Sequence, residues 1–230
     1  MSSIILATLT YTTLISLSIW TCKNELIAMS TLCAGGTALN IYMCTVISLF
    51  FSKQSYNDWK QSISGKRTIY NSIQPMLLIW LSSLFGMKVL DWKYEWNDWN
   101  FNLWHWIIMI IGVDIGFYTV HYLFHTVRNL QEKHYYHHEC DLKKLGSLCT
   151  LDDDYIEAFL RDYLPVLVSS VFCNNFHVFT YNLFYIIYTW WAFYIHSTMN
   201  TYHNNHHKYF NCNYGVFYFT DFIFGTFKKD

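Results

Sequence analysis

The same spaced histidine triplet occurs twice in this chain, and that repeat constrains the fold more than any other feature. His134, His137 and His138 stand at i, i+3 and i+4, and His203, His206 and His207 repeat the spacing. On a helix these positions share one face. A pair, His121 and His125, lies one helical turn apart upstream, so the three groups take eight of the eleven histidines. Imidazole is a common metal ligand and suits Zn, Cu, Fe and Ni. Eight rings are too many for one tetrahedral ion; they suit two ions held close together. His196, seven residues before His203, ends an apolar aromatic stretch, where a lone histidine by spacing alone reads as a core residue. His105 and His177, in aromatic surroundings, read the same way.

What surrounds the histidines is oily. Hydrophobic residues make up 53% of the chain and charged residues 13%, about half the usual charged share. Tyr and Trp are abundant, as they are at membrane interfaces. A net charge of −1 argues against nucleic acid as a partner. Residues 4–20 and 26–51 are long enough to span a bilayer, with Gly35-Gly36 as a point of helix approach. Residues 71–90 and 103–120 make a third and a fourth apolar segment. Residues 91–100, acidic and Trp-rich, read as an interfacial loop. The 52–70 loop holds Lys53, Lys60, Lys66 and Arg67, whereas the loops on the other side hold only Lys23 and Lys93. The positive-inside rule then puts the N-terminus and everything after His121 in the cytosol. Residues 139–157 read as a charged surface turn, and 158–173 and 178–195 as a hairpin or an interfacial pair. Met1 to Ile4 carry no Lys or Arg, so no cleavable signal peptide is expected. The seven cysteines form no CxxC and are expected to be reduced.

The expected fold is therefore an all-α integral membrane protein. About four transmembrane helices (1–109) precede a histidine-rich region (110–230) that forms a helical cap on the cytosolic face and carries a dimetal site. No cluster reads HExxH, so a zinc protease with its glutamate base is not indicated. Soluble di-iron bundles use carboxylate ligands, and this chain offers almost only imidazole. Spacing alone does not separate iron from zinc. Asp114, two turns before His121, is a candidate to hydrogen-bond a ligand ring and fix its tautomer.

The order Asp114-x-x-Phe117-Tyr118-x-x-His121-x3-His125, then His134-x-x-His137-His138-Glu139, then His203-x-x-His206-His207 resembles the sterol desaturase/fatty acid hydroxylase superfamily. The tail His207-Lys208-Tyr209-Phe210-Asn211-Cys212-Asn213-Tyr214-Gly215, with Asp221 and Phe224-Gly225-Thr226, is similar to that family's ending, closest to its sterol C-4 methyl oxidase and cholesterol 25-hydroxylase branch. The resemblance covers about residues 110–230. It implies a non-haem di-iron enzyme of the endoplasmic reticulum membrane. Such an enzyme takes O2, and electrons from a partner such as cytochrome b5 with its reductase, to oxidise a C–H bond of a sterol or acyl lipid by hydroxylation, methyl oxidation or desaturation. It also implies metal ligation by the eight box histidines and by His196, since the family has a lone histidine before its last box. The chain departs from the pattern at Tyr122, usually Arg, and at Thr220, usually Trp. Asp154 stands where a histidine often precedes the equivalent of Glu157; Asp154 and Asp221 join Asp114 as candidate supporting carboxylates. Only six residues separate His196 from His203, fewer than in relatives. Two other classes stay open: a zinc-dependent membrane hydrolase or transporter, and a catalytically degenerate lipid-binding member of the family.

Overall fold

The computed structural model describes residues 73–140, 146–197 and 200–229, together with residue 35. The expected spans 4–20 and 26–51, the basic 52–70 loop, and Cys22, Cys33 and Cys44 lie outside the described residues. Every regular element among the described residues is helical, and one isolated bridge pairs Lys93 with His177.

Helix α1, Ile73–Val89, occupies the third apolar segment. Pro75 sits in its first turn, where the missing N–H has no intrahelical partner to lose. Helix α2, Leu103–Thr126, starts at Asn102, whose side chain accepts from Trp104 N–H. It extends past residue 120 and carries His121 and His125 in its last turns. It is the one helix among the described residues long and apolar enough to cross a membrane. Its two faces separate cleanly. Trp104, Ile111, Ile115 and Tyr122 are exposed, while Met109, Val113, Phe117 and Phe124 are buried.

Val127 breaks the helical path, so α3, Arg128–His138, folds back against α2. A short helix α4, Tyr155–Ala158, passes through a π-helical turn, Phe159–Tyr163, into α5, Leu164–Val171. Helix α5 packs closely on α2 because α2 offers no side chain at the crossing. A Cβ on Gly112 would stand 2.3 Å from Ser169 Oγ, and one on Gly116 2.8 Å from Pro165 Cβ. Small residues four apart permit such approach. Helix α6, Val178–Ile195, returns past α1; α7, Thr201–Tyr209, and α8, Phe219–Phe224, close the chain.

Three expectations need correction. The 91–100 loop is not purely interfacial: Trp92 is buried, its ring 5.2 Å from Phe176 and 4.8 Å from Tyr181. The charged 139–157 stretch is not simply a surface turn. Asp152 and Glu157 are fully buried, Glu157 because α4 docks on α3 and turns it inward. Cys140 and Cys149 are not a reduced pair but are joined as a disulfide, since the chain returns to the end of α3 with the two Cα atoms 5.7 Å apart. A separation of nine residues is not a spacing that flags such a pair. Cys173 and Cys212 are free and buried.

Candidate metal centre

Three helices bring the rings together. The end of α2 supplies His121 and His125, α3 supplies His134, His137 and His138, and α7 supplies His203, His206 and His207. His196 arrives at the C-terminal end of α6. Asn200 caps α7 by accepting from His203 N–H at 3.2 Å, which sets the rotation of that helix.

The nine rings divide into two groups. His121, His125, His134, His138 and His206 form one; His137, His196, His203 and His207 form the other. Within each group, one ring nitrogen per residue lies within 4.8 Å of all the others. The i, i+4 pair His134/His138 serves the first group while His137, between them, serves the second. His206 and His207 likewise diverge. Each triplet therefore feeds both centres.

Tautomers follow from the outer nitrogens. Nδ1 of His121 lies 2.8 Å from the Tyr214 carbonyl, Nδ1 of His206 2.8 Å from that of Cys212, and Nδ1 of His196 2.8 Å from that of Ala192. A carbonyl only accepts, so each of these Nδ1 atoms carries the proton. Nδ1 of His134 donates to Glu157 Oε1 at 2.6 Å, and Nδ1 of His137 stands 2.9 Å from Asp153 Oδ1. Burial holds the rings of His134, His137, His138, His203, His206 and His207 well below the usual histidine range, and lowers His196 to about 4. The rings are therefore neutral at pH 7.

A neutral ring protonated at Nδ1 presents a bare lone pair at Nε2. Those lone pairs face one another. Nε2 of His121 is 3.1 Å from that of His134, Nε2 of His134 2.9 Å from that of His138, and Nε2 of His138 3.1 Å from that of His206. In the other group, Nε2 of His137 is 3.2 Å from that of His196 and 3.1 Å from that of His207. His121, His134 and His206 have no proton left to share at these contacts. Such convergence is repulsive unless a cation lies among the nitrogens. Neutral imidazoles with hydrogen-bonded outer nitrogens are the donor set that zinc, iron, copper and nickel accept. The residues present fit a metal in each group.

The expected supporting carboxylates stand elsewhere. Asp114 accepts from Phe217 N–H at 2.6 Å and from Thr220 N–H and Oγ–H at 2.9 and 2.7 Å. Asp221 accepts from the N–H groups of Tyr214 and Gly215 at 2.8 and 2.6 Å, and from Tyr202 and Thr226 hydroxyls. Both acids anchor the 214–220 loop rather than a ring. Gly215 makes room for them, since a Cβ there would fall 2.7 Å from Asp221 Oδ2. Through Tyr214, whose carbonyl holds His121, their effect reaches the site by one further step. Asp154 caps α4 by accepting from Ile156 N–H at 2.9 Å. Among the described residues, the carboxylates that meet the rings are Glu157 and Asp153, neither of them a candidate named from the sequence. Burial raises both, Asp153 to about 7, and Arg161 opposes the rise. Their signal in the chain was the i, i+4 run Asp153, Glu157, Arg161 leading into an apolar helix. His105 and His177 sit apart from both groups, on the carbonyls of Asn174 and Glu95 at 3.0 Å each.

The family model of fatty acid hydroxylase matches residues 106–226, which span every ring of both groups. No curated protein sequence and no solved structure gives a significant match.

Proposed function

Since the chain belongs to the fatty acid hydroxylase family, a family of lipid-modifying oxidoreductases, we propose that it is an O2-dependent membrane di-iron enzyme that hydroxylates or otherwise oxidises a C–H bond of a sterol or related lipid. The observation that carries this reading is the convergence of ring nitrogens in two adjoining groups within the matched region, with the Nε2 atoms of His121, His134, His196 and His206 left unprotonated by the hydrogen bonds at their Nδ1 atoms. In this reading residues 110–230 form the catalytic region, His121, His125, His134, His138 and His206 hold one iron, and His137, His196, His203 and His207 hold the other. Iron bound there supplies the oxidising power to break an unactivated C–H bond, which no side chain possesses.

The chain's own residues do the rest. The Tyr214, Cys212 and Ala192 carbonyls and Glu157 keep the protons on Nδ1 and aim Nε2 inward. Burial of His121, His137 and His206 excludes water from the reacting volume. The exposed apolar stripe of α2 offers a bilayer-facing wall, along which a lipid reaches the rings without leaving an apolar path. Electrons come in this reading from a partner such as cytochrome b5 with its reductase, at the cytosolic face of the endoplasmic reticulum.

Lipid extracts from cells expressing the wild type or His137→Ala, grown under isotopically labelled O2, test the assignment. A lipid carrying label from O2 is expected with the wild type and absent from the variant. Identical lipid profiles would contradict the enzyme reading and favour a lipid-binding role.

A further inference from the structure

Arg161 lies in the π-helical turn between α4 and α5 and is only 3% exposed. Turns of this kind frequently occur at functional sites. Its guanidinium meets three carboxylates. Nη1 donates to Glu157 Oε1, Nη2 to Asp153 Oδ2 at 2.9 Å, and Nε and Nη2 to the two oxygens of Asp162 at 3.2 and 3.3 Å. Its Cζ lies over the ring of Phe117 of α2, 5.3 Å from the centroid.

Two of those acids continue to the rings. Glu157 Oε1, which Arg161 holds, is also the acceptor of His134 in the five-ring group. Asp153 meets Arg161 through one oxygen and stands beside His137 of the four-ring group through the other. Two chains of contact thus leave one guanidinium, one toward each centre. Buried carboxylates stay charged and in place only when paired, and here one fork of donors pairs both. Bidentate geometry of this kind belongs to Arg and not to Lys.

We propose that Arg161 is a positioning residue that ties the two metal centres together, by fixing at once Glu157, which accepts from His134, and Asp153, which stands 2.9 Å from His137 Nδ1. The proposal rests on the dimetal reading of the nine rings. It distinguishes Arg161 from its partners. Loss of Glu157 disturbs one centre, loss of Asp153 disturbs the other, and loss of Arg161 disturbs both.

The test uses the full chain, purified in detergent, stripped of metal and titrated anaerobically with Co2+ while visible absorption is followed. Wild type is expected to fill two sites. Glu157→Gln and Asp153→Asn should each weaken one site by about 10- to 100-fold, the range for lost support of a ligand histidine. Arg161→Met should weaken both and change both absorption bands. Arg161→Lys, which keeps the charge but not the fork, should recover part of the affinity. Full binding of both ions by Arg161→Met, or loss at one site alone, overturns the proposal. Should Arg161→Met not fold, Arg161→Lys decides: two wild-type bands and affinities there contradict the need for the fork. A wild type that takes up fewer than two ions sinks the dimetal reading itself, a result separate from any difference between variants.

Discussion

His121, His196 and His206 each give an Nδ1 proton to a backbone carbonyl, so the chemistry at their Nε2 atoms depends on backbone placement and not only on side-chain identity. Burial makes the same rings sensitive to acid. His196 falls from 6.5 to about 4 on folding. Between those values the unfolded chain binds a proton that the folded chain refuses, so acid favours unfolding. The stability from keeping this ring neutral is complete above pH 6.5 and is lost as pH falls toward 4. Metal-free protein is accordingly expected to unfold at lower temperature at pH 5 than at pH 7; an unchanged or higher midpoint at pH 5 would contradict the buried neutral rings. The ring positions were legible in the chain because i, i+3 and i+4 spacing needs only a helix to converge. Glu157 and Asp153 were harder to find. Glu157 lies 23 residues beyond His134, and the contact exists only because α4 docks on α3. Asp114, the candidate partner of a ring, and Asp221, a candidate supporting carboxylate, instead accept from backbone N–H groups of the 214–220 loop, because buried N–H groups rarely go unpaired.

Element by element, the apolar segments that fall within the described residues are legible in the chain, and their crossings are not. Helix α2 was expected to run on from residues 103–120 into His121 and His125; it continues to Thr126 and carries both rings in its last turns. Its contact with α5 depends on the absence of side chains at Gly112 and Gly116, a spacing visible in the chain that the reading of periodicity passed over. Gly112→Leu would drive a side chain into Ser169, whose Oγ is 2.3 Å from a mere Cβ. Overpacking of this kind costs about 1–3 kcal/mol. Thermal unfolding in detergent should show a lowered midpoint, while Ile111→Leu, on the exposed stripe, should leave it within error. Equal midpoints for the two variants would mean that α2 and α5 do not pack through this face.

For the whole molecule, the open matter is which side of the membrane the rings face. Loop charge expects the cytosol. The Cys140–Cys149 bridge sits at the end of α3, next to His137 and His138, and such bridges persist chiefly in oxidising compartments. The bridge and the loop charges therefore point to opposite sides. With the bridge closed in the cell, alkylation of denatured protein from acid-quenched cells is expected to label Cys140 and Cys149, both buried in the fold, only after reduction. Labelling without reductant would show the pair reduced and favour the cytosol.

The central claim is that nine histidines on four helices hold two irons. Its most direct test is metal content per chain, with iron and zinc quantified separately, in detergent-purified wild type and His137→Ala. The account expects two metals per wild-type chain with substantial iron, and loss of the ion of the four-ring group in the variant. Two zincs would keep the architecture and call for reconstitution with iron. Wild-type protein without stoichiometric metal, or a variant that keeps its full complement, would contradict the account.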